Sequence, residues 1–111
     1  MTMINLQYTI ADIRELYLKG KLIWKEHATE RMLQRNISRS DVKSCIISGN
    51  IIEAYESDKP YPSCLILGYC IDKKPLHVVC STDGSYVYII TVYYPGLNKW
   101  ESDFKTRKDV Q

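Results

Sequence analysis

The chain has 111 residues, of which 45% are hydrophobic and 25% charged, and a formal net charge of +2. That length suits a single domain, 1–111, and leaves no room for two cores. The near-balanced charge neither demands nor excludes a nucleic-acid partner, so a basic site has to come from local clustering. The opening stretch lacks a basic region followed by an apolar run, and the longest apolar stretches are strand-length and interrupted by polar residues. Neither a signal peptide nor a membrane span is therefore expected. Cys45, Cys64, Cys70 and Cys80 form no C-x-x-C pair and have no histidine at zinc spacing, which predicts reduced, buried thiols in a cytoplasmic protein. The acidic residues are scattered, and neither a metal cage nor a cofactor motif is expected.

The first half of the chain has helical period. "TIADIRELYLKG" opens with Thr9 as an N-cap and closes on Gly20, with Ile10, Ile13, Leu16 and Tyr17 on one side. After "KLIWKE" comes "HATERMLQRNIS", where Ala28 and Met32 lie toward the packing side and His27, Arg31, Gln34 and Arg35 share another. Ser38 or Ser40 then caps a third helix, which carries Val42, Cys45 and Ile46 as its apolar stripe and ends at Gly49. From residue 50 the period changes to two. "NIIEAYES", "CLILGYCI", "KPLHVVCS" and "YVYIITVYY" read as four strands, and the tail "LNKWESDFKTRKDVQ" as a short helix or ordered coil. The expectation is an α+β domain whose N-terminal helices pack on one face of a four-stranded antiparallel meander.

Asp83-Gly84 suits a two-residue hairpin turn, and the preceding turn centres on Asp72-Lys73. His77 is then expected opposite Ile90 on one side and Gly68 on the other, with Val79 opposite Tyr88. In that register Leu65, Leu67, Tyr69, Leu76, Val78, Cys80, Val87 and Ile89 face the helices. Cys64, Ile66, Gly68, Cys70, His77, Val79, Tyr86, Tyr88, Ile90 and Val92 form a mixed face, with Gly68 leaving a hollow beside the imidazole. His77 has two readings, a hydrogen-bonded core histidine or an acid–base group.

The quoted helix also has two readings. His27, Arg31 and Arg35 form either an ordinary solvated face or a rigid cationic edge, on which arginines hold phosphate oxygens and His27 joins in binding or proton transfer. In the tail, Lys99, Trp100, Lys105, Arg107 and Lys108 put basic residues beside an aromatic ring, a combination suited to single-stranded nucleic acid. A tryptophan there also has the option of packing back on the core. Thr91 and Tyr93 end the last strand with hydroxyls.

The series "H-A-x-x-R-M-x-x-R-x-I" at His27 to Ile37, followed by "SGNIIEAYESDKPYPSCLILG", "KPLHVV" and "IITVYYP...W", resembles the small bacterial family called domain of unknown function 4258 (DUF4258). The likeness covers a core motif of about 22–107, with 1–21 as an accessory N-terminal helix or a dimer contact. It implies a fold like the RelE and barnase-type small ribonucleases, and a toxin restrained by a small antitoxin protein. The family's recurring polar positions correspond to His27, Arg31, Arg35, His77, Thr91, Tyr93 and Trp100. The expected activity is metal-independent endoribonuclease cleavage of RNA, by attack of a ribose 2′-hydroxyl on its own phosphate. His77, with His27 or Tyr93, would move protons, while Arg31 and Arg35, with Lys105, Arg107 and Trp100, would bind the RNA. The alternative is a non-catalytic module that binds RNA or a protein.

Overall fold

A computed structural model describes residues 6–108; 1–5 at the start of the leading segment and 109–111 at the end of the tail lie outside the described residues. Two helices begin where the sequence supplies reciprocal caps. Thr9 starts α1 (Ile10–Leu18) and Ser38 starts α3 (Arg39–Ser48). Each hydroxyl accepts from the backbone N–H three residues on, and Asp12 or Asp41 accepts in return from the cap's own N–H. These capping boxes satisfy donors that a helix start leaves without partners. Between them α2 (Glu26–Arg35) ends on Asn36, whose left-handed backbone (φ 56°) asparagine tolerates better than most residues.

The strands are β1 (Leu22–Trp24), β2 (Asn50–Tyr55), β3 (Ser63–Tyr69), β4 (Pro75–Thr82) and β5 (Val87–Tyr93). They form one mixed sheet in the order β1-β5-β4-β3-β2. The α+β class is as expected, but the sheet has five strands rather than four. "LIW" adds β1 at an edge, parallel to β5, through Lys25 N–H to the Ile89 carbonyl and Val87 N–H to the Lys21 carbonyl. Three residues are too few to display a period, and their partner lies some 65 positions away by register.

The helices cover one face. α2 lies against β5, α3 against β3 and β4, and α1 against α3 and β5. Ile13, Ala28, Met32, Val42, Cys45 and Ile46 pack there on Ile66, Leu76, Val78, Cys80, Val87, Ile89 and Val92, each valine, leucine, isoleucine or methionine among them worth about 1.5–3 kcal/mol on full burial. α1 is integral to this core. Ile13 and Tyr17 are buried, and Arg14 donates to the carbonyls of Ile46 and Gly49. The four cysteines are buried thiols, and burial pushes Cys45 up to about 12.

Both expected turns differ, and the sheet faces change with them. The β3–β4 loop centres on Asp72, so Gly68 opposes Leu76 and His77 opposes Leu67. That slip of one residue moves Cys64, Ile66 and Gly68 to the helix face, and Leu65, Leu67 and Tyr69 to the face of His77. Gly68 therefore makes no hollow beside the imidazole. It lets α3 approach, because a β-carbon there would meet the Cys45 carbonyl oxygen and stand 2.7 and 2.8 Å from that residue's carbonyl carbon and Cα. At the other turn Thr82 opposes Val87, not residue 85, because the Asp83 carboxylate accepts from the N–H groups of Ser85 and Tyr86 and organises a longer loop. A bulge then falls between the pairs Cys80–Ile89 and Val79–Thr91. It flips the end of β5, so Val92 joins the helix core, while Thr91 opposes Val79 and Tyr93, not Ile90, opposes His77.

Candidate functional site

The face away from the helices carries three cross-strand rows that share polar residues. They are Tyr55–Ser63–Ser81–Tyr88, Glu53–Leu65–Val79–Thr91 and Asn50–Leu67–His77–Tyr93. The tail folds back over this face, and Trp100 is only 3% exposed. The Trp100 ring stands perpendicular to the His77 imidazole, with centroids 4.6 Å apart; the Tyr93 ring meets it edge-on at 5.2 Å.

His77 is fully buried, and both ring nitrogens have partners. Nε2 lies 2.7 Å from the Phe104 carbonyl oxygen, and Nδ1 lies 3.1 Å from the Tyr93 hydroxyl. A carbonyl only accepts, so Nε2 carries the proton and Nδ1 is left to accept from Tyr93. Burial lowers the His77 pKa below its ordinary 6.5, outweighing the Phe104 bond and the Glu53 charge, which both raise it. The result is a carbonyl–imidazole–phenol chain in which a backbone group fixes the tautomer and the imidazole faces a hydroxyl.

Tyr93 joins that chain to a surface hollow of about 580 Å³ lined by Arg35, Tyr93, Tyr94, Gly96, Asn98, Lys99, Trp100 and Arg107. Three cations thus surround a space walled by aromatic rings. Arg35 is steered there by its position in the last turn of α2 and by donation to the Val92 carbonyl at 2.9 Å. Arg107 lies over the Trp100 ring, 4.5 Å from its centroid, and pairs bidentately with Glu53 at 2.8 and 2.9 Å. Burial alone would raise the Glu53 carboxyl; the bonds from Arg107 and from the Tyr55 hydroxyl outweigh it and hold the carboxyl below its usual range. The Tyr93 phenol is raised by burial, against the opposing pull of Arg107, and is a neutral donor at pH 7. Among the described residues no group of three His, Cys, Asp or Glu side chains could hold a metal ion, and no helix is long and apolar enough to cross a membrane.

The model of the family described as "Domain of unknown function (DUF4258)" matches residues 24–94. The chain belongs to that family. No curated protein and no solved structure matches it. The DUF4258 match includes Arg35, Glu53, His77 and Tyr93 but ends before Lys99, Trp100 and Arg107. One side of the hollow therefore comes from the matched region and the other from the segment that follows it.

The residues singled out in the sequence separate into two groups in space. Arg35, His77, Tyr93, Trp100 and Arg107 come together. His27 and Arg31 do not line the hollow. The His27 side chain is 84% exposed, with Nδ1 3.8 Å from Glu30, and Arg31 donates to Gln34 on the outer side of α2. Lys105 lines a separate open hollow with Ser48, Asn50, Tyr69, Asp103 and Thr106. The sequence reading missed Glu53, Tyr55, Tyr94 and Asn98. The available signal was Glu53, a charged residue breaking the apolar run of a strand; nothing local announced that its partner lies 54 residues on.

Because folding keeps His77 neutral, its contribution to stability depends on pH in a fixed direction. The unfolded chain takes up a proton near pH 6.5, while the folded chain does so only at lower pH. Stability is complete above about 6.5 and falls as pH drops toward the lowered folded value. Denaturant titrations at several pH values should show this loss in the wild type. They should show a flatter dependence over the same interval in His77→Gln, whose amide keeps a donor for Phe104.

Proposed function

We propose that this protein is a metal-independent endoribonuclease of toxin type, related in fold to the RelE and barnase-type ribonucleases, and that it binds single-stranded RNA in the Arg35–Lys99–Arg107 hollow. The observation that carries the reading is the Phe104–His77–Tyr93 chain opening into a cationic, aromatic-walled space. A phosphodiester supplies the negative charge that three cations attract, and its bases supply faces for the exposed Tyr94 ring to meet, whereas Trp100, expected to contact RNA, is buried against His77 and Arg107 and serves as a wall. In the reaction the ribose 2′-oxygen forms a bond to its own phosphorus as the bond to the 5′-oxygen breaks. Tyr93 accepts the 2′-hydroxyl proton while passing its own to His77 Nδ1, and the leaving 5′-oxygen takes a proton from the Lys99 ammonium. Arg35 and Arg107 stabilise the charge on the phosphoryl oxygens. The products are a 2′,3′-cyclic phosphate and a 5′-hydroxyl end. Incubating purified protein with single-stranded RNA and mapping the termini tests this; intact RNA, or ends of any other kind, overturns it.

A non-catalytic RNA-binding module is favoured by one specific observation, that burial opposes the imidazolium which this proton transfer creates. The two readings share the binding site and differ only in cleavage. For both, Arg35→Ala and Arg107→Ala should weaken RNA binding and flatten the plot of log affinity against log salt by about 0.7 per lost single-strand phosphate contact. Arg31→Ala should leave that slope nearly unchanged. Fluorescence anisotropy across a salt series measures all three.

A toxin of this kind needs restraint, and a small antitoxin protein is the proposed partner. The exposed tyrosines at the other end of the sheet, Tyr61 and Tyr86, with Tyr88 stacked on Tyr61, suit a protein interface. The Tyr88 and Tyr93 rows are four β4 residues apart, about 13 Å at strand rise. An inhibitor anchored on the tyrosines must reach along the sheet to close the hollow. Co-expression with neighbouring gene products, followed by pull-down and a growth assay, tests the partnership.

A further inference from the structure

The segment after β5 doubles back as an arch across the face that carries His77. Trp100 and Arg107 form an isolated antiparallel bridge. Beside it, Glu101 N–H donates to the Thr106 carbonyl and Lys108 N–H to the Lys99 carbonyl, at 2.8 and 2.9 Å. Trp100 is a buried anchor, but from Glu101 to Lys108 every residue except the half-buried Phe104 is exposed. Backbone with so little apolar burial opens at low cost.

Among the described residues, hydrogen bonds tie the outer arch to the sheet at two places. One is the Phe104 carbonyl on His77 Nε2, presented from a left-handed backbone (φ 59°) that is strained for a bulky residue. The other is the Arg107–Glu53 pair, 55% exposed on the arginine side and 22% on the glutamate side, where water and salt weaken it. Under the arch, Glu53 and Tyr55 share a hydrogen bond of 2.7 Å. Glu53 stands in the cross-strand row next to that of His77. Closed, the arch takes the Nε2 proton for a carbonyl and the Glu53 oxygens for a guanidinium, so neither group is free for a substrate.

We propose that residues 101–108 are a displaceable cover over a latent acid–base site made by His77 Nε2, Glu53 and Tyr55. A phosphate of a single-stranded nucleic acid releases the cover by competing with Glu53 for Arg107. The releasing ligand rests on the phosphate reading of the Arg35–Lys99–Arg107 hollow; the cover itself does not. Opening pivots at Trp100 and puts an imidazole N–H, a carboxylate and a phenol on one exposed sheet face.

The test uses the full chain and follows acylation of His77 by diethyl pyrocarbonate, with the exposed His27 as internal reference, together with exchange of the Glu101 and Lys108 amides. Arg107→Gln should raise His77 reactivity and arch exchange about tenfold, as loss of a charged bidentate bond implies, while exchange in the β3–β4 core stays slow. Raising salt should move the wild type in the same direction, and this needs no variant to fold. Unchanged His77 reactivity in both experiments overturns the cover. Adding a single-stranded RNA oligonucleotide to the wild type should speed exchange at Glu101 and Lys108. Slower or unchanged exchange with the RNA bound overturns release by phosphate. Failure of the oligonucleotide to bind overturns both that release and the phosphate reading of the hollow, with the cover still judged by the first two measurements.

Discussion

Replacing Tyr93 with phenylalanine should cut RNA cleavage by about 10²–10⁴-fold, the usual cost of losing one acid–base group, while leaving the domain folded. The ring is retained, and with it the edge-on contact to His77 and the wall of the hollow. Only the hydroxyl is lost, and with it the hydrogen bond that links the imidazole to the space where RNA would bind, since His77 itself is fully buried. The stability cost should be about 1–3 kcal/mol, because the buried His77 Nδ1 is left without a donor. RNA affinity should change little, because Arg35, Lys99 and Arg107 remain. Cleavage rates, anisotropy and melting curves on the same preparation separate these effects. Wild-type cleavage by Tyr93→Phe would return the hydroxyl to a structural role, and cleavage and stability falling together would do the same.

The second large effect is on folding. Gly68→Ala should destabilise the domain by about 3 kcal/mol, at the upper end of the range for overpacking. With an unfolding entropy of about 2.1 cal/mol/K per residue, that lowers the melting temperature by about 13 °C. The added methyl meets backbone atoms of Cys45, not the end of a flexible side chain, so relief requires moving α3 as a unit. α3 carries Val42, Cys45 and Ile46, all fully buried, and the Cys45 thiol donates to the Leu76 carbonyl at 3.3 Å. A shift of the helix loosens all of these contacts at once. Calorimetry or thermal circular dichroism measures the change, and an unaltered melting temperature would contradict such close seating of α3 on β3.

Features decided by near neighbours were legible in the sequence. Thr9 was legible as the first cap, and the third helix start was narrowed to Ser38 or Ser40; the reciprocal bonds with Asp41 select Ser38. The helical period selected Ala28 and Met32, and Val42, Cys45 and Ile46, as packing positions, and all five are buried. Alternation likewise marked four strands and the α+β class, because burying one face of a sheet imposes a period of two. The sequence also pointed to His77, Tyr93, Arg35, Trp100 and Arg107, through residue chemistry rather than position. Tertiary structure decided their relations. Strand register depends on loop geometry, and a period of two makes a slip of one residue invert a whole strand; the five-residue loop from Cys70 to Lys74 did that to β3. The bulge in β5 turned Tyr93 toward His77 and Val92 toward the helices, and no local pattern encodes a bulge formed against a particular partner strand. The parallel pairing of β1 with β5 and the Glu53–Arg107 bond join residues far apart in the chain. Those contacts exist only once the core has brought their backbones together, so the chemical types of the site were written in the sequence and its geometry was not.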